Sequence, residues 1–431
     1  MARERLCVVA TCLIGWLTTG ALTGMAGAAS PQAAGEDWPR WRGPRGDGTW
    51  NGPRLPEKWP EKGLHKLWSQ PIGGGDAGIT VVAGSAYTMD LQKSPEAVER
   101  VLCFDGASGE LRWAHSYGAT YRGLQHGNGP RAAPTVSDGH VYTIGAIGHI
   151  FCLDAATGKV VWSRDAVADL GAKMPTWGFA ASPLVFEETV IVHVGAVPDG
   201  CYVALDRKSG REIWRSVSDR CGYCTPILIR HGDATQMIGW TPDNIRGLDP
   251  RDGKPLWAVP YKVTYGVSIA SPIYQEGIVF VSGYWEGSKA IRLGKTPSDA
   301  ALLWEDADLR GEMSQPLYRD GHVYLLDRSS GLNCLRLQTG ERLWNDGHRM
   351  TPRGRDPQAS LVWLNDGDRA IILNAEGELI LARLNPAGYQ EQSRTKIIGK
   401  TWAHPAFAGR SAFARDGREL VCVSFLDPAP R

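Results

Sequence analysis

An excess of charge of either sign is missing from this 431-residue sequence, because 47 lysines and arginines balance 46 aspartates and glutamates at a net charge of +1. Proteins that bind nucleic acids or anionic membranes usually carry a basic stripe, and none is visible here. Beyond residue 29, no apolar run is long enough to cross a bilayer. We therefore expect no nucleic-acid partner and no membrane span in the folded protein.

Residue patterns of the common metal and redox centres are also missing. The ten histidines are scattered without zinc-type spacing, and no two of the nine cysteines are adjacent. The nearest pair is Cys221-x-x-Cys224, but the sequence predicts no helix after it, as a redox motif of this kind requires. A structural disulfide and simple packing are both open for this pair, and we expect no metal site.

Residues 1–29 have the composition of a targeting segment. Arg3 and Arg5 make the start basic, residues 6–29 carry no charge, and Ala26-Gly27-Ala28 fits a small-residue cleavage site. This pattern predicts a signal peptide over 1–29 and an exported protein, either periplasmic or secreted. An uncleaved membrane anchor is the alternative, since the stretch is just long enough to span a bilayer.

Glycine and tryptophan, by contrast, are abundant, at 52 and 17 residues. In the segment 150–162, a strand ends at Asp154, a tight turn closes at Gly158 and a returning strand ends at Trp162. The same order of a small residue, Asp, Ser/Thr/Asp-Gly and Trp recurs about every 40–50 residues, a period typical of propellers and solenoids. The copies end at Trp113, Trp162, Trp214, Trp257 and Trp344, the last with Arg336 where Asp is expected, and a blurred copy ends at Trp304.

A small-polar-Pro triplet, or a weaker form of it, opens each unit, and counting the triplets gives eight units. They start near residues 77, 132, 181, 224, 270, 314, 359 and 403. The last unit has no closing Trp hairpin, which a strand around Trp68 can supply. The sequence thus predicts an all-β, eight-bladed β-propeller over 66–427, with four-stranded antiparallel blades and the last blade closed by the N-terminal strand near Trp68. A Trp/Pro/Gly-rich arm over 30–65 precedes it and is expected to lie on the propeller.

The repeat resembles the tryptophan-docking motif of the bacterial PQQ-like, quinoprotein-type β-propeller repeat proteins. Segments 37–44, 129–131, 177–180 and 265–267 are similar to that family as well. The resemblance implies structural docking between blades for the six closing tryptophans, Trp113, Trp162, Trp214, Trp257, Trp304 and Trp344.

The same resemblance is weak for activity, because one fold hosts many functions. One branch of the family comprises dehydrogenases that use a Ca²⁺-bound quinone, PQQ, and often an adjacent Cys–Cys disulfide. Another branch includes the β-barrel assembly lipoprotein, which binds partner proteins. This sequence has neither the Cys–Cys pair nor a lipidation box.

Candidate binding residues lie in the long loops that join each closing tryptophan to the next triplet, all on one face of the expected ring. An aromatic floor with arginines at the rim favours an anionic planar ligand, held by stacking and bidentate hydrogen bonds. The alternative is that the aromatic residues only cap the ring and the arginines are solvated. The candidates are His126, Arg131, Trp177, Tyr265, Glu312, Arg355 and Trp402.

Polar residues of the triplets should line the central channel, where water and satisfied hydroxyls are the simplest expectation. These residues are Ser182, Thr225, Ser271, Gln315, Ser360 and His404. His404 is also a candidate for ligand binding.

These features together predict a monomeric binding or scaffold propeller without catalytic residues. Its long-loop face would bind a partner protein, a small molecule or a glycan. A PQQ-dependent alcohol or sugar dehydrogenase is one alternative, with PQQ as its cofactor, and a carbohydrate-binding propeller is another.

Overall fold

The structure, a computed structural model, describes residues 35–121, 124 and 127–426. The predicted signal peptide over 1–29 and the candidate His126 lie outside these residues. In the described part of the chain, the only helix is a 3-10 turn at Thr264–Gly266, and no helix there has the length and apolar character that a membrane span needs.

Two strands precede the first blade, β1 (Thr49–Trp50) and β2 (His65–Pro71). Blade 1 contains β3 (Thr80–Val82), β4 (Ser85–Gln92), β5 (Val98–Asp105) and β6 (Leu111–Gly118). Blade 2 contains β7 (Thr135–Ser137), β8 (His140–Ile144), β9 (His149–Asp154) and β10 (Val160–Asp165). Blade 3 contains β11 (Leu184–Phe186), β12 (Thr189–Ala196), β13 (Gly200–Asp206) and β14 (Glu212–Ser216). Blade 4 contains β15 (Ile227–His231), β16 (Ala234–Trp240), β17 (Asn244–Leu248) and β18 (Pro255–Pro260).

Blade 5 contains β19 (Ile273–Gln275), β20 (Ile278–Ser282), β21 (Ser288–Leu293) and β22 (Ala300–Asp306). Blade 6 contains β23 (Leu317–Arg319), β24 (His322–Asp327), β25 (Gly331–Arg336) and β26 (Arg342–Asn345). Blade 7 contains β27 (Ala359–Leu364), β28 (Arg369–Asn374), β29 (Glu378–Asn385) and β30 (Gly388–Lys396). Blade 8 contains β31 (Ala406–Ala408), β32 (Ser411–Arg415) and β33 (Glu419–Ser424).

Each blade is an antiparallel meander whose first strand is innermost, and the eight sheets form a ring. The eight-bladed β-propeller predicted from the triplets is therefore confirmed. Blade 8 gains its outermost strand from β2, which pairs antiparallel with β33 from His65 opposite Ser424 to Pro71 opposite Glu419. Every first strand starts on the face that carries the long loops, which we call the loop face. The turns between the first and second strands lie on the opposite face, the turn face.

Trp162 shows how one blade is held to the next. Cys152 lies directly opposite it on the neighbouring strand, which is why that slot of the repeat takes only small residues. The indole packs over Gly210 in the turn of blade 3, and its Nε1 donates to the Arg207 carbonyl at 3.0 Å. Gly210 has a φ of +68° and a Cβ there would meet the indole at 2.6 Å, so the turn requires glycine.

Other repeat tryptophans dock on the next blade in the same way, through a backbone carbonyl of its turn. Such bonds run from Trp68 to Gly106, Trp113 to Ala155, Trp304 to Leu337 and Trp344 to Asn385, at 2.8–3.0 Å. Trp257 departs from this pattern because the turn of blade 5 lacks the Ser/Thr-Gly of the repeat. Its Nε1 donates instead to Gln236 Oε1 of its own blade at 2.9 Å.

The cysteines of the described chain are all free thiols, Cys221 and Cys224 included. Of the two possibilities left open by the sequence, packing is the one that the structure shows. Cys224 is fully buried, and burial raises the pKa of its thiol to about 12. A thiol with so high a pKa is a poor nucleophile, so it serves as a small apolar filler.

The N-terminal arm, whose described part begins at residue 35, crosses the turn face of the ring. Trp38 exchanges backbone hydrogen bonds with Val81 of blade 1, and Pro39 accepts one from Val136 of blade 2. Further along, β1 lies parallel to β27, with Thr49 opposite Trp363. The arm therefore lies on the propeller, as its tryptophans predicted, and it holds non-neighbouring blades together.

Candidate ligand-binding site

A cavity of about 520 Å³ opens on the loop face above the centre of the ring. A volume of this size suits a small molecule. Seven tryptophan and tyrosine side chains face it together with two arginine–aspartate pairs. The lining residues are Trp41, Asp76, Arg131, Thr176, Trp177, Ala180, Tyr223, Thr225, Tyr265, Val267, Ile269, Tyr284, Trp285, Met313, Gln315, Arg355, Asp356, Gln358, Trp402 and His404.

The floor of the cavity is Trp41, which the arm inserts into the ring from the turn face. Its Nε1 donates to Ser271 Oγ at 3.1 Å, and its ring lies 4.2 Å from that of His404. Burial, reinforced by the nearby positive charge of Arg42, holds the pKa of His404 well below its usual range. The imidazole is therefore neutral at physiological pH and adds no charge to the floor.

Below the cavity mouth, the polar residues of the triplets form hydrogen bonds from blade to blade. Ser182 Oγ accepts from the Ala133 N–H at 2.9 Å, and Thr225 Oγ1 accepts from the Ser182 N–H at 2.8 Å. Gln315 Oε1 accepts from the Ser271 N–H at 2.7 Å. Each of these side chains accepts a hydrogen bond from the backbone of the preceding blade, so these polar groups are satisfied within the protein.

One wall is built around Arg131. Its Nε donates to the Trp177 carbonyl at 2.6 Å, which fixes the loop that carries the Trp177 indole. The indole makes an edge contact with Tyr223, with ring centroids 5.6 Å apart. Burial lowers the pKa of Arg131, and the carboxylate of Asp76 opposes that effect, so the guanidinium stays charged beside a counter-ion.

The opposite wall combines rings with a second ion pair. The Tyr284 hydroxyl donates to Asp356, whose carboxylate lies 3.8 Å from Arg355 Nε. Tyr284 and Trp285 come from the turn between β20 and β21, and the Arg328 guanidinium packs on both rings at 5.9 and 5.5 Å. The Arg328 cation therefore stabilises the position of both rings at the side of the cavity.

Tyr265 forms the rim. Its side chain is 75% exposed, and its backbone has a φ of +56° inside the 3-10 turn. A non-glycine residue in this region costs about 1–2 kcal/mol, and an exposed ring gains nothing from the core in return. The backbone conformation of Tyr265 is therefore unfavourable, and no packing of its ring offsets that cost, because the ring faces solvent at the mouth of the cavity.

Glu312 lies behind the second wall. Its side chain is 1% exposed, its φ is +51°, and neither carboxylate oxygen has a hydrogen-bond partner among the described residues. Arg328 Nε lies 3.3 Å away. Burial raises the pKa of Glu312 to about 8, with Arg328 opposing the rise and Asp356 adding to it. The neighbouring Met313 lines the cavity, whereas Glu312 does not.

Of the ligand-binding residues predicted from the sequence, six line this one cavity: Arg131, Trp177, Tyr265, Arg355, Trp402 and His404. Glu312, which was predicted with them, does not line the cavity, because its carboxylate is buried behind the second wall. Sequence reasoning missed Trp41, Tyr223, Tyr284, Trp285 and the two aspartates. Tyr223 lies within the Cys-x-x-Cys segment and Trp285 within an unremarkable turn, so only their aromatic character could have indicated them.

The charges around the cavity are balanced, because two aspartates accompany its two arginines. Among the residues that the structure describes, no three His, Cys, Asp or Glu side chains converge as they would on a metal ion. The sequence also has no adjacent Cys–Cys pair to cover a quinone.

Comparison with known proteins places this chain in a family. Residues 97–346 match the family model described as outer membrane protein assembly factor BamB. The quinohemoprotein alcohol dehydrogenase ADH-IIG of Pseudomonas putida is 32% identical over 360 residues, which cover 74% of this chain and 47% of that protein. The BamB of Yersinia pestis is 20% identical over 297 residues, covering 65% of this chain and 70% of that protein.

Solved structures agree on the fold. The quinohemoprotein alcohol dehydrogenase of Comamonas testosteroni superimposes with a TM-score of 0.63 at 14% identity, covering 92% of this chain and 82% of that one. The chain spans less than half the length of the quinone-dependent alcohol dehydrogenases that it matches in sequence. With its eight blades and a family match over more than half of its length, the chain belongs to the BamB family of PQQ-like β-propellers.

Proposed function

We propose that this protein is an exported, non-catalytic binding propeller that holds a small ring-containing ligand in the loop-face cavity. The observation that carries the proposal is the cavity itself, in which seven tryptophan and tyrosine side chains surround a space of about 520 Å³. Export rests on the basic, apolar and small-residue pattern of residues 1–29.

The exposure of the rim supports binding over simple capping of the ring. Aromatic residues that only cap a core are covered by their neighbours, yet Tyr265 is 75% and Trp285 39% exposed. Both line the same cavity as polar side chains that can orient a ligand, such as Arg355 and Asp356. Apolar surface with a few convergent polar groups is the usual composition of a small-molecule site.

A ligand screen tests the proposal. The purified protein is titrated with a library of sugars, planar carboxylates and aromatic amines, followed by tryptophan fluorescence and thermal shift. We expect hits whose binding is lost in Trp177→Ala and Trp402→Ala. Phe186→Ala, which removes a half-buried ring on the turn face, is the control and should bind normally.

Two results would contradict the proposal. Wild-type protein that binds no member of the library would leave the cavity without a ligand. Hits that bind Trp177→Ala and Trp402→Ala as tightly as wild type would place binding elsewhere on the protein.

A quinone-dependent oxidoreductase is the second candidate, favoured by the 32% identity to an alcohol dehydrogenase. The chain is incubated with PQQ and Ca²⁺, and oxidation of alcohols and sugars is measured with an artificial electron acceptor. We expect no turnover, because the lining carries balanced charge. Turnover that Trp177→Ala abolishes would replace the binding proposal with this one.

A further inference from the structure

We infer that the ligand of the loop-face cavity is a neutral saccharide, whose chain leaves the cavity past Tyr265. This inference rests on the proposed function and names the ligand class. It follows from the rings, the polar groups between them, the charge balance and the position of Tyr265.

The rings of the cavity suit the apolar faces of sugar rings. The face of an aromatic ring carries partial negative charge, and the C–H groups of a pyranose face carry partial positive charge. Trp177 lines one wall of the cavity and Trp285 lines the other. Trp41 closes the bottom, so a sugar ring would meet an aromatic group on several sides.

Between the rings lie side chains that both donate and accept hydrogen bonds. Arg355 and Asp356 stand next to each other in sequence and in space, with Nε and Oδ2 3.8 Å apart. A carboxylate accepts and a guanidinium donates in forked geometry, so each can engage two neighbouring hydroxyl groups. Gln358 and Thr176 add an amide and a hydroxyl to the same lining.

The balanced charge of the cavity lining disfavours the binding of ionic ligands. Arg131 has Asp76 as a nearby counter-charge, Arg355 has Asp356, and His404 is neutral. A phosphate or a polycarboxylate would have to compete with these aspartates for the arginines. The two arginines and two aspartates of the lining cancel in charge, so a neutral, hydroxyl-rich ligand matches it. Binding such a ligand does not require an ion to be removed from water.

The position of Tyr265 indicates where a longer ligand would leave the cavity. Every other lining tyrosine has a hydroxyl or ring contact within the protein: Tyr284 bonds to Asp356 and Tyr223 packs on Trp177. Tyr265 stands 75% exposed at the mouth, on a backbone with φ +56°. A strained, exposed ring at an exit suits a second sugar unit stacking outside the cavity.

The test uses the full chain and an array of cello-, xylo-, manno-, chito- and malto-oligosaccharides, with PQQ plus Ca²⁺ as an ionic probe. Affinities for bound series are measured by calorimetry for the monosaccharide and for longer members. Tyr265→Ala should raise the Kd of the longer members by up to about tenfold, the value of one stacked ring, and leave the monosaccharide unchanged. Tyr265→Phe keeps the ring and should bind as wild type does.

The outcomes separate this inference from the proposed function. Binding of a neutral series with the Tyr265 effect on longer members supports both. Trp177-dependent binding of charged or planar ligands only, with no neutral saccharide bound, overturns the saccharide inference and keeps the cavity as a ligand site. Binding of no probe at all overturns both, provided that near-ultraviolet circular dichroism shows the protein to be folded.

Discussion

Glu312 shows how far a single residue can depart from its ordinary chemistry. Its carboxylate is buried without a hydrogen bond, and the backbone beneath it has a positive φ. Strained backbone conformations cluster at functional sites. Here Glu312 contacts Arg328, whose guanidinium packs on Tyr284 and Trp285. We therefore expect Glu312 to act as a positioning residue for one wall of the cavity.

A pH dependence of stability follows from this carboxyl. Its pKa is about 8 in the folded protein and near 4.5 when exposed, so the folded state binds the extra proton between these values. The contribution of Glu312 to the free energy of unfolding should therefore be greatest at low pH and fall as pH rises from about 4.5 to 8, by on the order of a few kcal/mol.

Glu312→Gln is expected to remove this fall, because the amide keeps the shape of the protonated acid and cannot ionise. Urea unfolding of both proteins at about pH 5 and pH 9 measures the difference. The exposed Glu110→Gln serves as the control. A slope that Glu312→Gln leaves intact would show that other groups cause it.

Tryptophan docking is the feature that matters most at the scale of the blade. The indole of Trp162 and the turn glycine Gly210 meet across the boundary between blades 2 and 3. Two residues far apart in sequence thus fix the angle between neighbouring sheets, and the repeat copies this contact around most of the ring.

Gly210→Ala tests the docking contact. The new Cβ would lie 2.6 Å from the indole, on a backbone with φ +68°. Gly232→Ala is a matched control, since its φ is +57° and no atom lies within 4 Å of the new Cβ. Backbone strain should cost each variant about 1–2 kcal/mol, and the clash should cost Gly210→Ala roughly 1–3 kcal/mol more. Equal losses in urea unfolding would show that the contact is loose.

Blades were predictable from the sequence because each one repeats the same turn chemistry. Asp154 and Thr157 form the same turn bonds that Asp206 and Ser209 form in the next blade, all near 2.8 Å. The cavity was only half predictable. Loop position indicated Trp177 and Arg355, whereas Trp41 and Trp285 arrive from elements that carry no repeated signal, and only packing brings them together.

At the scale of the whole molecule, the N-terminal arm acts as a strap. Trp50 is fully buried, with its ring 5.3 Å from Phe407 and 6.0 Å from Phe425 of blade 8, while β1 pairs with blade 7. Because the same arm also inserts Trp41 into the cavity floor, the stability of the ring and the shape of the site depend on one segment.

Trp50→Ala should therefore weaken the entire ring. Deleting a fully buried tryptophan costs about 3–5 kcal/mol, and we expect one cooperative transition at lower urea, measured by the far-ultraviolet signal of the strands. Arg54→Ala, an exposed change in the same arm, should leave the transition where it is. A separate early transition in Trp50→Ala, with the rest unchanged, would mean that the arm detaches without loosening the blades.

The pairing of β2 with β33 also determines when the ring can close during synthesis. His65 and Ser424, which face each other in blade 8, are about 360 residues apart in the chain. A ribosome adds about 5–20 residues per second, so the earlier strand waits roughly 20–70 s for its partner. Until β33 is made, β2 has no partner strand, so the ring cannot close.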